Sequence, residues 1–258
     1  MIQVQDITKT YHLNKKQKKE LQTTANSINA VNKISFECIP GRVYSLLGPN
    51  GAGKTTTLRM MSTILKPTSG KMVIGGYDVE SQPEKVRSTI GFLTGSTNLY
   101  NRLNPSEIVN YFGQLHSMPK DVLERRKDAL FTQLGIHEFS QKKIGQMSTG
   151  MKQKVSIARS MIHNPDVVIF DEPTSGLDVI TANSIIELIK RCKEEGKTVI
   201  FSSHIMSEVD LLCDDLAIID KGDLIYSDTM DNFRQQYAGT SLTEAFINIV
   251  NNNSPQTV

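Results

Sequence analysis

The sequence predicts an α/β fold built on a parallel sheet, and three observations carry that expectation. Apolar runs of strand length, such as Val43–Leu47 and Val167–Phe170, suit strands covered on both faces. Helix-like runs at Thr55–Leu65, Val179–Glu195 and Ile205–Cys213 alternate with them. Such alternation implies crossover connections, which make neighbouring strands parallel. A glycine-rich turn, Gly48 to Gly53, joins the first buried strand to the first helix.

In chain order, Ile2–Ile7 and Ile34–Ile39 read as strands. The segments before Gly48 look antiparallel, with turns at Pro40-Gly41 and Pro67-Thr68-Ser69-Gly70. Between the first two lies His12–Asn29, polar and lysine-rich, which is expected to be a solvated loop. A contact with phospholipid headgroups is the alternative for its lysines. Met72–Ile74, Thr198–Ser202 and Leu216–Ile219 complete the strand set. The middle differs: from about Pro105 to His163 the pattern is helical. Pro105-Ser106-Glu107 opens one helix with Pro early and an acid in the first turn. Lys120–Leu134 is a second, and Ser148 or Thr149 caps a third that runs to His163. The expected division is a main domain over 1–230 with a helical insertion over about 95–163. A helical extension follows at 231–250, and a disordered tail at 251–258.

Composition narrows the classes. A chain of 258 residues buries a large core, and a formal charge of +2 gives no nucleic-acid signal. Cys38, Cys192 and Cys213 are scattered, without a C-x-x-C pair, so neither a zinc site nor a disulfide framework is indicated. Reduced, cytosolic thiols are the default. The start, Met1-Ile2-Gln3-Val4-Gln5-Asp6, lacks the basic and apolar regions of a secretory signal. No apolar run approaches the roughly 20 residues that span a bilayer. If the protein serves a membrane, other chains must supply the spans.

The turn itself, Gly48-Pro49-Asn50-Gly51-Ala52-Gly53-Lys54-Thr55, has the spacing of a phosphate-binding loop. Its glycines let backbone N–H groups point inward at phosphate oxygens, and the helix opening through Thr55 and Thr56 adds its positive end. Lys54 would reach the β- and γ-phosphates, and the Thr55 hydroxyl would ligate Mg²⁺. The strand Val167–Phe170 ends in Asp171 and Glu172, beside that loop at the sheet's carboxyl edge. Asp171 can hold Mg²⁺ through its water shell, and Glu172 can act as general base on the attacking water.

Met147-Ser148-Thr149-Gly150-Met151-Lys152-Gln153 opens a helix shortly before the acidic strand. Here the chain resembles the ABC transporter ATPases, whose signature reads Leu-Ser-Gly-Gly-Gln. Ser148 and Gly150 match, while Met147, Thr149 and Met151 depart. The likeness runs from Ile2 to about Gly222. It implies a P-loop NTPase, RecA-like core with an antiparallel β subdomain and a helical subdomain specific to the family. It further implies that the Ser148 helix start meets the γ-phosphate of ATP held by an opposite subunit. His204, after Ser202-Ser203, matches the family's switch histidine, able to hydrogen-bond the γ-phosphate. Ser175-Gly176-Leu177-Asp178 matches the loop across the dimer interface, and Tyr11 sits where an aromatic stacks on adenine.

One departure concerns the metal. Where the family has a glutamine after Ile90–Thr94, this chain has Gly95, which has no side-chain ligand. The expectation is that ATP is still hydrolysed, with the metal held mainly by Thr55 and Asp171. The stretch Phe92–Leu103 and the Ser148–Val155 segment resemble the sodium-exporting, Nat-type branch.

The resemblance thus implies a homodimeric ATPase binding ATP and Mg²⁺. It would lie in the cytoplasm, peripheral on the inner face of the cell membrane, and drive export through a separate permease. Gly95–Arg126 would be the docking surface, with Leu99, Tyr100 and Leu103 in a groove. The cargo expected is Na⁺, with a drug or antibiotic as alternative. Two other classes fit the sequence less well. A soluble ABC protein of translation or DNA repair would carry a second such domain or long coiled coils, which are lacking. A nucleotide-dependent switch without turnover would not need Glu172 and His204.

Overall fold

A computed structural model describes residues 1–20, 22–94 and 99–253. The first half contains β1 (Ile2–His12), α1 (Lys15–Glu20), β2 (Ser27–Cys38), β3 (Val43–Leu47), α2 (Lys54–Met61), β4 (Ser69–Ile74), β5 (Tyr77–Asp78), α3 (Pro83–Thr89) and β6 (Ile90–Leu93). Then come α4 (Pro105–Leu115), α5 (Lys120–Leu134), α6 (Thr149–Met161), β7 (Val167–Asp171), α7 (Val179–Glu194), β8 (Thr198–Ser203) and α8 (Met206–Leu212). The chain closes with β9 (Asp215–Asp220), β10 (Asp223–Thr229), α9 (Met230–Gln236) and α10 (Leu242–Asn253).

The central sheet has the order β10-β9-β3-β8-β7-β6, with every pair parallel except the edge strand β10. A second, antiparallel sheet has the order β2-β1-β4-β5. Side-chain alternation decides which layer lies on which face. Val43 and Leu47 of β3, Val168 and Phe170 of β7, and Val199 and Phe201 of β8 pack with α5 to α8. Their neighbours Tyr44, Leu46, Val167, Ile169 and Ile200 pack with α2 and the antiparallel sheet. The central strands are thus covered on both faces, which is why they read as unbroken apolar runs. A smaller cluster of Ile108, Ile144, Met147 and Val155 joins α4 to the start of α6.

Several expectations need correction. The expected loop His12–Asn29 contains strand and helix: β1 runs on to His12, α1 forms, and β2 begins at Ser27. The strands continue through register shifts, with left-handed backbone at Asp6 (φ 47°) and Lys33 (φ 46°), and their outer parts are solvent-exposed. Polar composition therefore hid strand that has no core to face. Val43–Leu47 is not antiparallel but lies inside the parallel sheet. The second helix stops at Met61, short of Leu65, with Thr63 in a left-handed conformation (φ 61°). The middle is not helical throughout, because Gly135 closes α5 at φ 63° and only short 3₁₀ turns precede α6. Asn251–Asn253 belong to α10, while 254–258 lie outside the described residues. Leu99 and Leu103 pack inward against the α4–α6 cluster, leaving Tyr100 exposed.

Candidate nucleotide site

The loop Gly48–Gly53 is the turn from β3 into α2, at the carboxyl edge of the central sheet. Close packing, not only turn geometry, demands Gly48 and Gly53, whereas Gly51 answers to turn geometry alone at φ 81°. A Cβ on Gly48 would stand 2.2 Å from the Ile219 carbonyl oxygen, and one on Gly53 (φ 114°) 2.4 Å from that of Ala30. The loop is braced by Ala52 N–H donating to Pro49 O and Gly222 N–H donating to Ala52 O. A depression opens between Ala30, Asn50, Gly51, Ala52, Gly53, Lys54, Thr55, Thr56 and Glu172.

Lys54 is buried, and its ammonium donates to Gly48 O at 2.6 Å and Pro49 O at 3.1 Å. Glu172 Oε1 lies 3.8 Å away. Burial pulls the Lys54 pKa below that of a free lysine, and Glu172 and Asp171 oppose the shift. A cation held at a cost in the folded chain is suited to receive an anion.

The two acids sit where expected, with a partner the sequence reading missed. Asp171 Oδ1 accepts the Thr55 hydroxyl at 3.0 Å and the Ser202 hydroxyl at 2.7 Å. Glu172 Oε1 is 3.4 Å from His204 Nδ1, so Lys54, Glu172 and His204 form one chain of contacts. Ser203 donates to the buried Glu208 carboxylate at 3.1 Å and accepts the Ile205 amide at 3.0 Å, which fixes the backbone around His204. A hydroxyl and a carboxylate are the hard oxygen donors that Mg²⁺ prefers. Among the described residues no cluster of three His, Cys, Asp or Glu could hold a metal alone. A cation at Thr55 and Asp171 would therefore complete its shell with phosphate and water.

Ser148, Gly150 and Asp178 form a separate cluster. Ser148 caps α6 by accepting the Met151 amide at 3.3 Å. Asp178 caps α7, accepting Thr181 N–H at 2.9 Å and its hydroxyl at 2.8 Å, and these bonds hold its carboxyl below the usual range. A Cβ on Gly150 would meet Thr181 Oγ1 at 3.2 Å, so two helix N-termini lie side by side. Among the described residues no hydrogen bond or ion pair joins this cluster to the Lys54 loop. The nearest link is Gln153, whose amide donates to Pro173 O at 2.8 Å just beyond the acids. Tyr11 is exposed on β1 beneath the Lys9 ammonium and does not line the depression, whereas Ala30, unremarkable in sequence, does. Gly95 lies outside the described residues.

Comparison with known proteins agrees with this geometry. Residues 31–175 match the family model described as ABC transporter. The chain is 38% identical over 230 residues to the ABC transporter ATP-binding protein NatA of Bacillus subtilis (strain 168), covering 89% of this chain and 94% of that one. It is 34% identical to the linearmycin resistance ATP-binding protein LnrL of the same organism, over 86% of this chain and 71% of that one. Among solved structures, an ATP-binding subunit of an ABC transporter superposes with a TM-score of 0.85 at 27% identity, covering 96% of this chain and 99% of that one. A dimeric post-hydrolysis state of the ATP-binding cassette MJ0796, bound to ADP and Pi, superposes at 0.76 and 25% identity, over 89% and 99%. The chain belongs to the ABC transporter family, as one of its ATP-binding, ATP-hydrolysing subunits.

Proposed function

We propose that two copies of this chain close over two ATP molecules and drive export through a separate membrane subunit, with Na⁺ as cargo. The observation that carries the reading is the division of the site. The Lys54–Asp171–Glu172–His204 group has donors, base and metal ligands in one place, and the Ser148–Asp178 group presents two helix N-termini apart from it. A second copy supplies to the first group what its own chain holds elsewhere. The dimeric structural neighbour bound to ADP and Pi supports this arrangement.

In this reading the Lys54 ammonium exchanges the Gly48 and Pro49 carbonyls for β- and γ-phosphate oxygens. Thr55 and Asp171 would hold Mg²⁺, which would supply neutralisation of phosphate charge there. Glu172 takes a proton from water as the water oxygen bonds to the γ-phosphorus and the bond from that phosphorus to the ADP oxygen breaks. His204 donates to a γ-phosphate oxygen while its other ring nitrogen faces Glu172, and it keeps the base aimed. Closure around ATP and reopening after hydrolysis would bias the membrane subunit between two states.

No helix among the described residues is long and apolar enough to cross a membrane, so the passage is assigned to a partner. Its docking surface would use the exposed Tyr100, Tyr111 and Leu115, placing the chain on the inner face of the cell membrane. The resemblance of Phe92–Leu103 and Ser148–Val155 to the sodium-exporting branch favours sodium, and the likeness to a linearmycin resistance protein keeps antibiotic export as the second reading. The test is ATP-driven uptake into inverted vesicles carrying this chain with its membrane subunit, since inversion turns export into accumulation in the lumen. ATP-driven ²²Na⁺ movement that vanishes with Glu172→Gln supports sodium. Movement of an antibiotic instead, with no ²²Na⁺ flux, sinks it.

A further inference from the structure

Ser202 is fully buried in β8, and Asp171 is its register partner across the β7–β8 pair. Its hydroxyl donates to Asp171 Oδ1 at 2.7 Å and accepts the Glu172 amide at 3.0 Å. The same amide is 3.2 Å from the Ser202 carbonyl oxygen. A serine hydroxyl carries one proton, and here that proton goes to the carboxylate beside Thr55 while a lone pair takes the backbone of the next residue. Glu172 needs such support. Its φ of 48° is a left-handed conformation that a residue with a side chain keeps only where its surroundings over-determine it. Asp171 Oδ1 also receives Thr55 at 3.0 Å, so two hydroxyls, one from α2 and one from β8, fix the direction of its carboxylate.

We infer that Ser202 is a positioning residue for ATP hydrolysis: its one hydroxyl aims Asp171 at the cation and sets the backbone from which Glu172 reaches water. Ser202 touches neither substrate nor metal and acts through these two neighbours. The inference rests on the proposed roles of Asp171 and Glu172. It also explains how two adjacent acids with different tasks stay in fixed relation. Rotation of Asp171 would loosen the Ser202 hydroxyl, and with it the Glu172 amide.

The experiment uses the purified full chain as wild type, Ser202→Ala and Ser202→Thr, with melting temperature measured for each. Mn²⁺ is titrated into the ADP-loaded protein and followed by electron paramagnetic resonance, and ADP binding is measured separately in EDTA. Removing a hydrogen bond to a charged group weakens what it supports by about tenfold to a hundredfold. Ser202→Ala should lose Mn²⁺ affinity in that range, while ADP affinity in EDTA changes less than about twofold. Its kcat should fall at least about tenfold with KM for ATP within about threefold, and Ser202→Thr, which keeps the hydroxyl, should recover both. Wild-type Mn²⁺ affinity in Ser202→Ala would overturn the inference, as would metal-free ADP binding that weakens in step. If Mn²⁺ leaves the wild-type chain's ADP binding unchanged, the reading of Asp171 fails and takes the inference with it.

Discussion

The Lys54–Glu172 group and the Ser148–Asp178 group are both built at element ends, yet they differ in what they face. In the first, every charge meets another group of the same chain: Lys54 its loop carbonyls and Glu172, Asp171 two hydroxyls, Glu172 a histidine. In the second, Ser148 and Asp178 each close only their own helix start. Next to Asp178, Val179 and Ile180 stand 85% and 79% exposed, an unusual pair of aliphatics to leave in water. The first group gathers a buried cation, two acids and their hydroxyl partners in one place. The second presents two helix N-termini side by side, the character that the proposed reading gives to half of a shared site.

The largest way to break this contrast is Glu172→Gln. Loss of a general base costs about a hundredfold to ten-thousandfold. Phosphate release should fall accordingly while ATP binding by equilibrium fluorescence persists. Substitution in the second group should do less and differently. Gly150→Asp places a carboxylate beside Asp178 where a phosphate is to arrive, and hydrolysis should drop about a hundredfold. ADP binding by the isolated chain should be untouched, and a parallel loss of ADP binding would merge the two groups into one.

A smaller effect separates folding from chemistry. Ser148→Ala removes the cap of α6 and should cost about 1 kcal/mol of stability in denaturant unfolding. The smallest is read from pH. Burial lowers the Lys54 pKa in the folded chain, so above that pKa the folded state releases a proton that the unfolded state keeps up to about 10.5. The unfolded state then binds more protons, and the nucleotide-free wild type should gain stability relative to Lys54→Met as pH rises through that window. A pH-independent difference would show that Lys54 is not held at a cost.

Within the first group the sequence revealed some parts and hid others. Gly48 to Thr55 and the acids after Phe170 were legible because their spacing is set by local backbone geometry and their strands are buried on both faces. The role of Ser202 was not, since it depends on the register of β8 against β7, which one strand's sequence does not encode. Ala30 lines the depression only because β2 begins at Ser27, and that extension is hidden by its polar, solvent-facing residues. Leu99 and Leu103 looked like docking residues because apolar side chains in a helical stretch read alike whether they face a partner or the α4–α6 cluster.

The most direct test of a site divided between chains is to mix two inactive variants, Lys54→Ala and Gly150→Asp. In the mixed dimer one site carries both lesions, while the other joins an intact Lys54 loop to an intact Ser148 helix. With random pairing of symmetric dimers, hydrolysis should return to about a quarter of the wild-type rate per chain, from near zero for either variant alone. Activity that stays at the level of the separate variants would contradict the account.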